Sequence, residues 1–129
     1  MERPKYLIDT NSIIDYLSNK LPRSSMDFLN VVVDDIPNVS VINKIELLGF
    51  NTPDEHYQTL SNFINDSTVL DLTNNVVETC INIRKKHKTK LPDAIIAATA
   101  LVYDLTIISR NTSDFKNIDG LTVIDPHIL

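Results

Sequence analysis

The chain has 129 residues, of which 43% are hydrophobic and 22% charged, and a net charge of −5 at pH 7. That size and balance suit one globular core and exclude a disordered, collagenous or membrane-spanning chain. The single cysteine, Cys80, rules out an internal disulfide and points to the cytoplasm, and the two glycines rule out a glycine-rich phosphate loop or dinucleotide fingerprint.

Met1-Glu2-Arg3-Pro4 leads straight into a first strand from Lys5 to Asp9, with no signal-peptide stretch. Tyr6, Leu7 and Ile8 form its short buried run. Thr10, Asn11 and Ser12 supply helix-capping chemistry, and Ile13, Ile14 and Leu17 continue as a helical stripe. Asp15, on the following turn, is expected to be exposed. Pro22 opens a second helix, with Met26, Leu29, Val32 and Val33 on one face. Val39 to Val41 is a second strand after the turn residues Pro37 and Asn38. A helix with Ile42, Ile45 and Leu48 as its stripe follows, carries Glu46 and ends at Gly49. Thr52-Pro53-Asp54-Glu55 starts another helix, whose apolar face is Tyr57, Leu60, Phe63 and Ile64.

Thr68 to Leu72 is a third strand, and Asn75 to His87 a helix that buries Cys80 as a small apolar residue. Pro92-Asp93 begins an alanine-rich helix in which Ala94, Ala97 and Ala98 permit close packing on a sheet. Its apolar run, Ala94 to Tyr103, is far too short to cross a bilayer. Thr106 to Ser109 and Leu121 to Ile124 are the fourth and fifth strands. Strands alternating with helices predict an α/β fold with a parallel sheet covered on both faces, as a single domain over residues 1–129.

Four acids, Asp9, Glu46, Asp93 and Asp114, fall where a strand hands over to a helix. In an open parallel sheet those junctions share the edge at which ligands bind. Like charges gathered there raise one another's pKa, and the usual remedy is a hard divalent cation, Mg²⁺ or Mn²⁺, held by oxygen. Each acid alone has a plainer reading: turn residue, helix-dipole acid, solvent-facing glutamate, loop residue. His56, His87 and His127 are scattered and lack zinc spacing.

The negative net charge argues against a nucleic-acid partner until the four acids are set aside, which leaves 13 acidic against 12 basic residues. Five of the basic residues, Arg84, Lys85, Lys86, Lys88 and Lys90, crowd just before Asp93. Such a run can hold nucleic-acid phosphates, or it can simply be a solvated helix end favoured by the macrodipole.

Together, Tyr-Leu-Ile-Asp-Thr-Asn (6–11), Ser40 to Gly49, Leu-Pro-Asp-Ala-Ile-Ile-Ala-Ala-Thr-Ala (91–100) and Ser-Arg-Asn-Thr-Ser-Asp-Phe (109–115) resemble a PIN domain, most closely the VapC-type toxins of toxin–antitoxin pairs. The resemblance implies a three-layer α/β/α fold with a central parallel sheet and an acidic Mg²⁺ or Mn²⁺ site. It also implies endoribonuclease activity on an RNA substrate, a homodimer and a cognate antitoxin. Asp9, Glu46, Asp93 and Asp114 match the family's acidic positions, with Asp9 and Asp93 preferred as direct ligands. Asn11 and Ser109 match its polar supporting positions; Ser109 replaces the usual threonine and keeps the hydroxyl. Thr10 and Asn111 join them in orienting water or phosphate. The rival reading is a non-catalytic PIN-like or receiver-like acidic module. A receiver would need a phospho-accepting Asp71 with a lysine near the fourth strand, and none stands there. A haloacid-dehalogenase-like phosphatase would need a second aspartate where Asn11 stands.

Overall fold

A computed structural model describes residues 5–129; the reading of Met1 to Pro4 as a direct lead into the first strand lies outside them. The elements run β1 (Tyr6–Ile8), α1 (Thr10–Leu17), α2 (Arg23–Asp34), β2 (Asn38–Ser40), α3 (Val41–Leu48), α4 (Asp54–Asn65), β3 (Thr68–Leu70), α5 (Asn74–Lys86), α6 (Leu91–Tyr103), β4 (Thr106–Ile108), α7 (Thr112–Phe115) and β5 (Val123–Ile124). The strands form one sheet in the order β3-β2-β1-β4-β5, every neighbouring pair parallel.

Successive strand residues face opposite sides, so one strand feeds two cores. Leu7 packs with Val76, Cys80 and the buried alanines of α6 on one face. Ile8 packs with Ile13, Leu29 and Phe63 on the other. The result is the expected three-layer α/β/α arrangement, with α5 and α6 on one side and α1, α2 and α4 on the other. Every residue of α6 from Ala94 to Ala100 is buried, which its small side chains permit against both the sheet and α5. Cys80 is buried as expected, and burial raises its thiol pKa, which makes it inert.

Strand order decides where a site can form. The chain moves outward from β1 through β2 to β3, then returns to the other side of β1 for β4 and β5. The reversal falls between β1 and β4, whose residues pair Tyr6 with Thr106, Leu7 with Ile107 and Ile8 with Ile108. At such a switch point the connections leave toward opposite faces and open a crevice at the carboxyl ends of the strands. The residues immediately beyond, Asp9 and Ser109, are therefore neighbours. Three helical stripes, those of α1, α3 and α4, depart from expectation. Ile45 is 61% exposed, and α3 turns Asn43 and Leu47 inward instead. Ile14 and Tyr57 are also exposed.

Candidate active site

Asp9 caps α1 itself, a role the sequence assigns to the residues after it. Its backbone is extended and its Oδ1 accepts from Thr10 N–H at 2.9 Å. Thr10, Asn11 and Ser12 are thereby free for other work. Thr10 Oγ1 donates to Glu46 Oε1 at 2.9 Å, and Asn11 Nδ2 donates to Asp9 Oδ2 at 3.3 Å and to Ser109 Oγ at 3.2 Å. Ser109, fully buried, donates to Asp9 Oδ2 at 2.8 Å and accepts from Asn111 N–H at 3.1 Å.

One central residue escapes the sequence reading. Asn43, fully buried on α3, donates from Nδ2 to Asp9 Oδ1 at 3.2 Å and to Thr10 Oγ1 at 3.0 Å. Its Oδ1 accepts from Ser40 N–H at 2.8 Å, while Ser40 Oγ accepts from Ile42 N–H. Ser40 and Asn43 thus form a capping box that starts α3 and aims an amide at Asp9. The signal in the sequence is the serine three residues before a polar amide, although the partner is usually Glu or Gln.

Asp93 lies in the first turn of α6 and Asp114 in the short α7, a helix where the sequence reads as a loop. Burial raises the pKa of Asp93, helped by the charges of Asp114, Asp9 and Glu46 and opposed by Lys90. Burial likewise raises Asp9 against the hydrogen bonds from Ser109, Thr10 and Asn43, with Asp114 adding repulsion. The four acids are electrostatic neighbours at one edge: Asp9 is buried, Asp93 half-buried, Glu46 and Asp114 exposed. Among the described residues, no three His, Cys, Asp or Glu side chains stand together as a group that could hold a metal ion. A hard-oxygen donor set with uncompensated charge still fits Mg²⁺ or Mn²⁺, because Mg²⁺ keeps several waters and needs only one or two carboxylates.

A cleft of about 320 Å³ is lined by Lys88, Thr89, Lys90, Asp93, Ser113 and Asp114, so it brings two of the four acids together with part of the basic run; Asp9 and Glu46 do not line it. Arg84, Lys85 and Lys86 stay outside it, exposed on the last turn of α5 where they complement the helix dipole. A larger cavity of about 620 Å³ opens at the opposite end of the sheet, by Tyr6, Asn38 and Thr68, away from the carboxylates.

Asp15 also departs from expectation. It is buried, and its Oδ2 meets His127 Nε2 at 2.8 Å and Arg110 Nη1 at 3.4 Å. A buried carboxylate needs such partners, and they come from segments nearly the whole chain away, which no local pattern reveals.

The raised acids fix a pH dependence. The folded metal-free protein holds protons on Asp9 and Asp93 above the ordinary aspartate value of 3.8 that applies once it unfolds. From these two groups, stability is therefore highest below that value and falls as pH rises through the raised folded values. In melts with EDTA, Asp93→Asn should melt above wild type at neutral pH, and the gap should close near the ordinary aspartate value. A gap that does not change with pH would remove Asp93 from the repulsive cluster.

Comparison with known proteins bears on the fold and the family. The PIN domain family model matches residues 6–121. The fold is similar to that of a toxin–antitoxin complex from Klebsiella pneumoniae, with TM-score 0.75 and 29% identity over 97% of this chain and 100% of that chain. It is similar to DNA-bound VapBC from Salmonella typhimurium, with TM-score 0.79 and 23% identity over 96% of this chain and 99% of that one. FitAcB from Neisseria gonorrhoeae gives TM-score 0.78 and 22% identity, again over 96% and 99%. Among curated proteins none matches the sequence significantly. No described helix is long and apolar enough to cross a membrane. Because the family model spans residues 6–121 of 129, the chain belongs to the PIN domain family.

Proposed function

We propose that residues 1–129 act as one PIN domain, a metal-dependent endoribonuclease that is the toxin of a type II toxin–antitoxin pair. It works in the cytoplasm as a homodimer and is held inactive by its cognate antitoxin. The observation that carries this reading is the convergence of Asp9, Glu46, Asp93 and Asp114 on the switch-point edge, where Asp93 feels the charge of the other three. The similar toxin–antitoxin folds support the partner.

Asp9 and Asp93 would hold Mg²⁺ or Mn²⁺ directly, and Glu46 and Asp114 would join them through water. When bound, the ion supplies acidified water and countercharge for the phosphate. The chain's own residues do the rest. Asn43, Ser109, Asn11 and Thr10 N–H fix the Asp9 carboxylate so that both its oxygens stay aimed. Thr10 holds Glu46 in place. Lys88 and Lys90 offer positive charge for a backbone phosphate beside Asp93, with Arg84, Lys85 and Lys86 extending that field along α5. Ser113 provides a polar contact in the same cleft, and Asn111, whose N–H donates to Ser109, orients water or phosphate. Attack by water leaves 5′-phosphate and 3′-hydroxyl ends.

The deciding experiment is end-mapping of total cellular RNA, transfer RNA included, incubated with Mn²⁺ and either wild type or Asp9→Asn. Discrete new 5′-phosphate ends with wild type alone establish the nuclease and identify its target. Identical profiles favour the non-catalytic acidic module, and 2′,3′-cyclic phosphate ends overturn the hydrolytic mechanism. Independently of RNA, Mn²⁺ at a hundred times its Kd should stabilise wild type by about 2.7 kcal/mol, seen as a rise in Tm. The same addition should leave an Asp9→Asn, Asp93→Asn double variant unmoved.

A further inference from the structure

The buried ion cluster around Asp15 lies outside the acidic site, yet it ends on a residue at the site's rim. Asn11 and Asp15 are four residues apart on α1 and therefore share a face. Asn11 Oδ1 accepts from Arg110 N–H at 3.2 Å, and Asp15 Oδ2 takes Arg110 Nη1 at 3.4 Å. Arg110 follows Ser109, the residue that grips Asp9. One helix face thus holds its main chain and its side chain together. His127 Nε2 shares the same carboxylate oxygen at 2.8 Å; against an ionised carboxylate that nitrogen carries the hydrogen.

The carboxylate is closed off, with a side chain 8% exposed, whereas the arginine side chain remains 54% exposed. A guanidinium has five N–H donors. Only one of them finds a protein acceptor among the described residues. A solvated surface arginine loses much rotamer entropy when it grips a ligand; one already anchored through Nη1 loses less. Arg110 is thus a preset fork for an anion, on the α1 face of the acidic edge. Lys88 and Lys90 stand on the α6 face of the same edge. Asp93 and Asp114 share the cleft with these lysines, and Asp9 is gripped by Ser109, the residue before Arg110.

We propose that Arg110 is a second phosphate-binding residue, so that the RNA backbone crosses the sheet edge from Lys88 and Lys90 on the α6 side to Arg110 on the α1 side. Asp15 and His127 are positioning residues that orient Arg110. This assignment rests on the nuclease reading for the identity of the ligand.

The test is fluorescence anisotropy with a short, dye-labelled, unstructured single-stranded RNA, in EDTA, across a salt titration, on the full chain. Each variant is first checked for a folded melt. Arg110→Gln should bind about tenfold more weakly, with a salt dependence shallower by roughly one phosphate contact. Arg110→Lys should restore the salt dependence because it restores the charge. Asp15→Asn and His127→Gln should weaken binding while leaving the salt dependence as in wild type, a pattern that a purely structural role for the cluster would not give. Wild-type affinity and salt dependence in Arg110→Gln would overturn the phosphate contact. Wild-type affinity in both Asp15→Asn and His127→Gln would overturn their positioning role. A wild-type protein that neither binds this RNA nor cleaves cellular RNA would overturn the nuclease reading itself, and is distinguishable from both.

Discussion

Replacing Asp93 with asparagine should lower the single-turnover rate of RNA cleavage about a thousandfold, the several kcal/mol that a lost metal carboxylate is worth. The same change should leave the fold intact and the metal-free protein slightly harder to melt. The two effects have opposite signs for one reason. Asp93 sits at the start of α6 where burial, Asp114, Asp9 and Glu46 all disfavour its charge, and only Lys90 favours it. Folding without metal therefore leaves a repulsion that the neutral amide relieves, whereas catalysis uses that same charge to hold a cation. Activity lost and stability gained together is the signature of a site held under electrostatic strain. The measurements are Mn²⁺-started cleavage of the mapped RNA and melts in EDTA at neutral pH. Cleavage within a few-fold of wild type would remove Asp93 from the metal site; cleavage lost with a lowered Tm would mean that the residue is structural.

The second large effect belongs to Asn43. Asn43→Ala should destabilise the protein by about 3 kcal/mol: an unpaired buried N–H at Ser40, a broken capping box and a small cavity each contribute. At this chain length that is a fall in Tm of roughly 10 °C. Cleavage should fall by about ten- to a hundredfold, because Asp9 Oδ1 and Thr10 Oγ1 both lose the amide donor that orients them. Asn43→Asp separates the two roles. It keeps an acceptor for Ser40 N–H, and with it half of the capping box, but sets another carboxylate against Asp9. Its Tm deficit relative to wild type should therefore shrink in Mn²⁺ or in mild acid, whereas that of Asn43→Ala should not. Equal Tm losses for the two variants in EDTA and in Mn²⁺ would mean that Asn43 has no electrostatic link to the site.

The elements that position the site follow from short-range chemistry and are visible in the sequence. The apolar run of β1, the proline and acid opening α6, and the Thr68 to Leu70 strand need only neighbouring residues to be recognised, and they differ from expectation by a residue or two at their ends. Ser109 illustrates the limit: it is expected at the end of a strand, but it lies just past β4 and serves as a hydrogen-bonding hub. Ser40 is a strand residue as expected, and it caps α3 as well. Ile45 shows where periodicity misleads. The α3 stripe predicts an inward isoleucine, but the helix is rotated so that Asn43 reaches Asp9, and satisfying a buried carboxylate outweighs hiding one aliphatic side chain. Asp15 fails for a different reason. Its partners Arg110 and His127 are 95 and 112 residues away, and burial of a charge depends on partners that only the fold supplies. Among the four site acids, position along the chain pointed to a shared edge, while their degree of burial and mutual repulsion needed the assembled sheet.

The pairing of β1 with β4 has a consequence for the chain while it is being made. Asp9 emerges early from the ribosome, but the serine that holds its carboxylate is 100 residues further on. At ordinary elongation rates that separation is about 5–20 s of synthesis. During that interval β1 can lie beside β2, yet the neighbour that forms the crevice does not exist, and Asp114 has not been added. A nascent chain therefore carries the acidic residues without an acidic edge, and the ribosome producing it meets no assembled site until β4 has left the exit tunnel and docked. On the proposed toxin reading, an antitoxin need only be present at that late step to intercept every molecule.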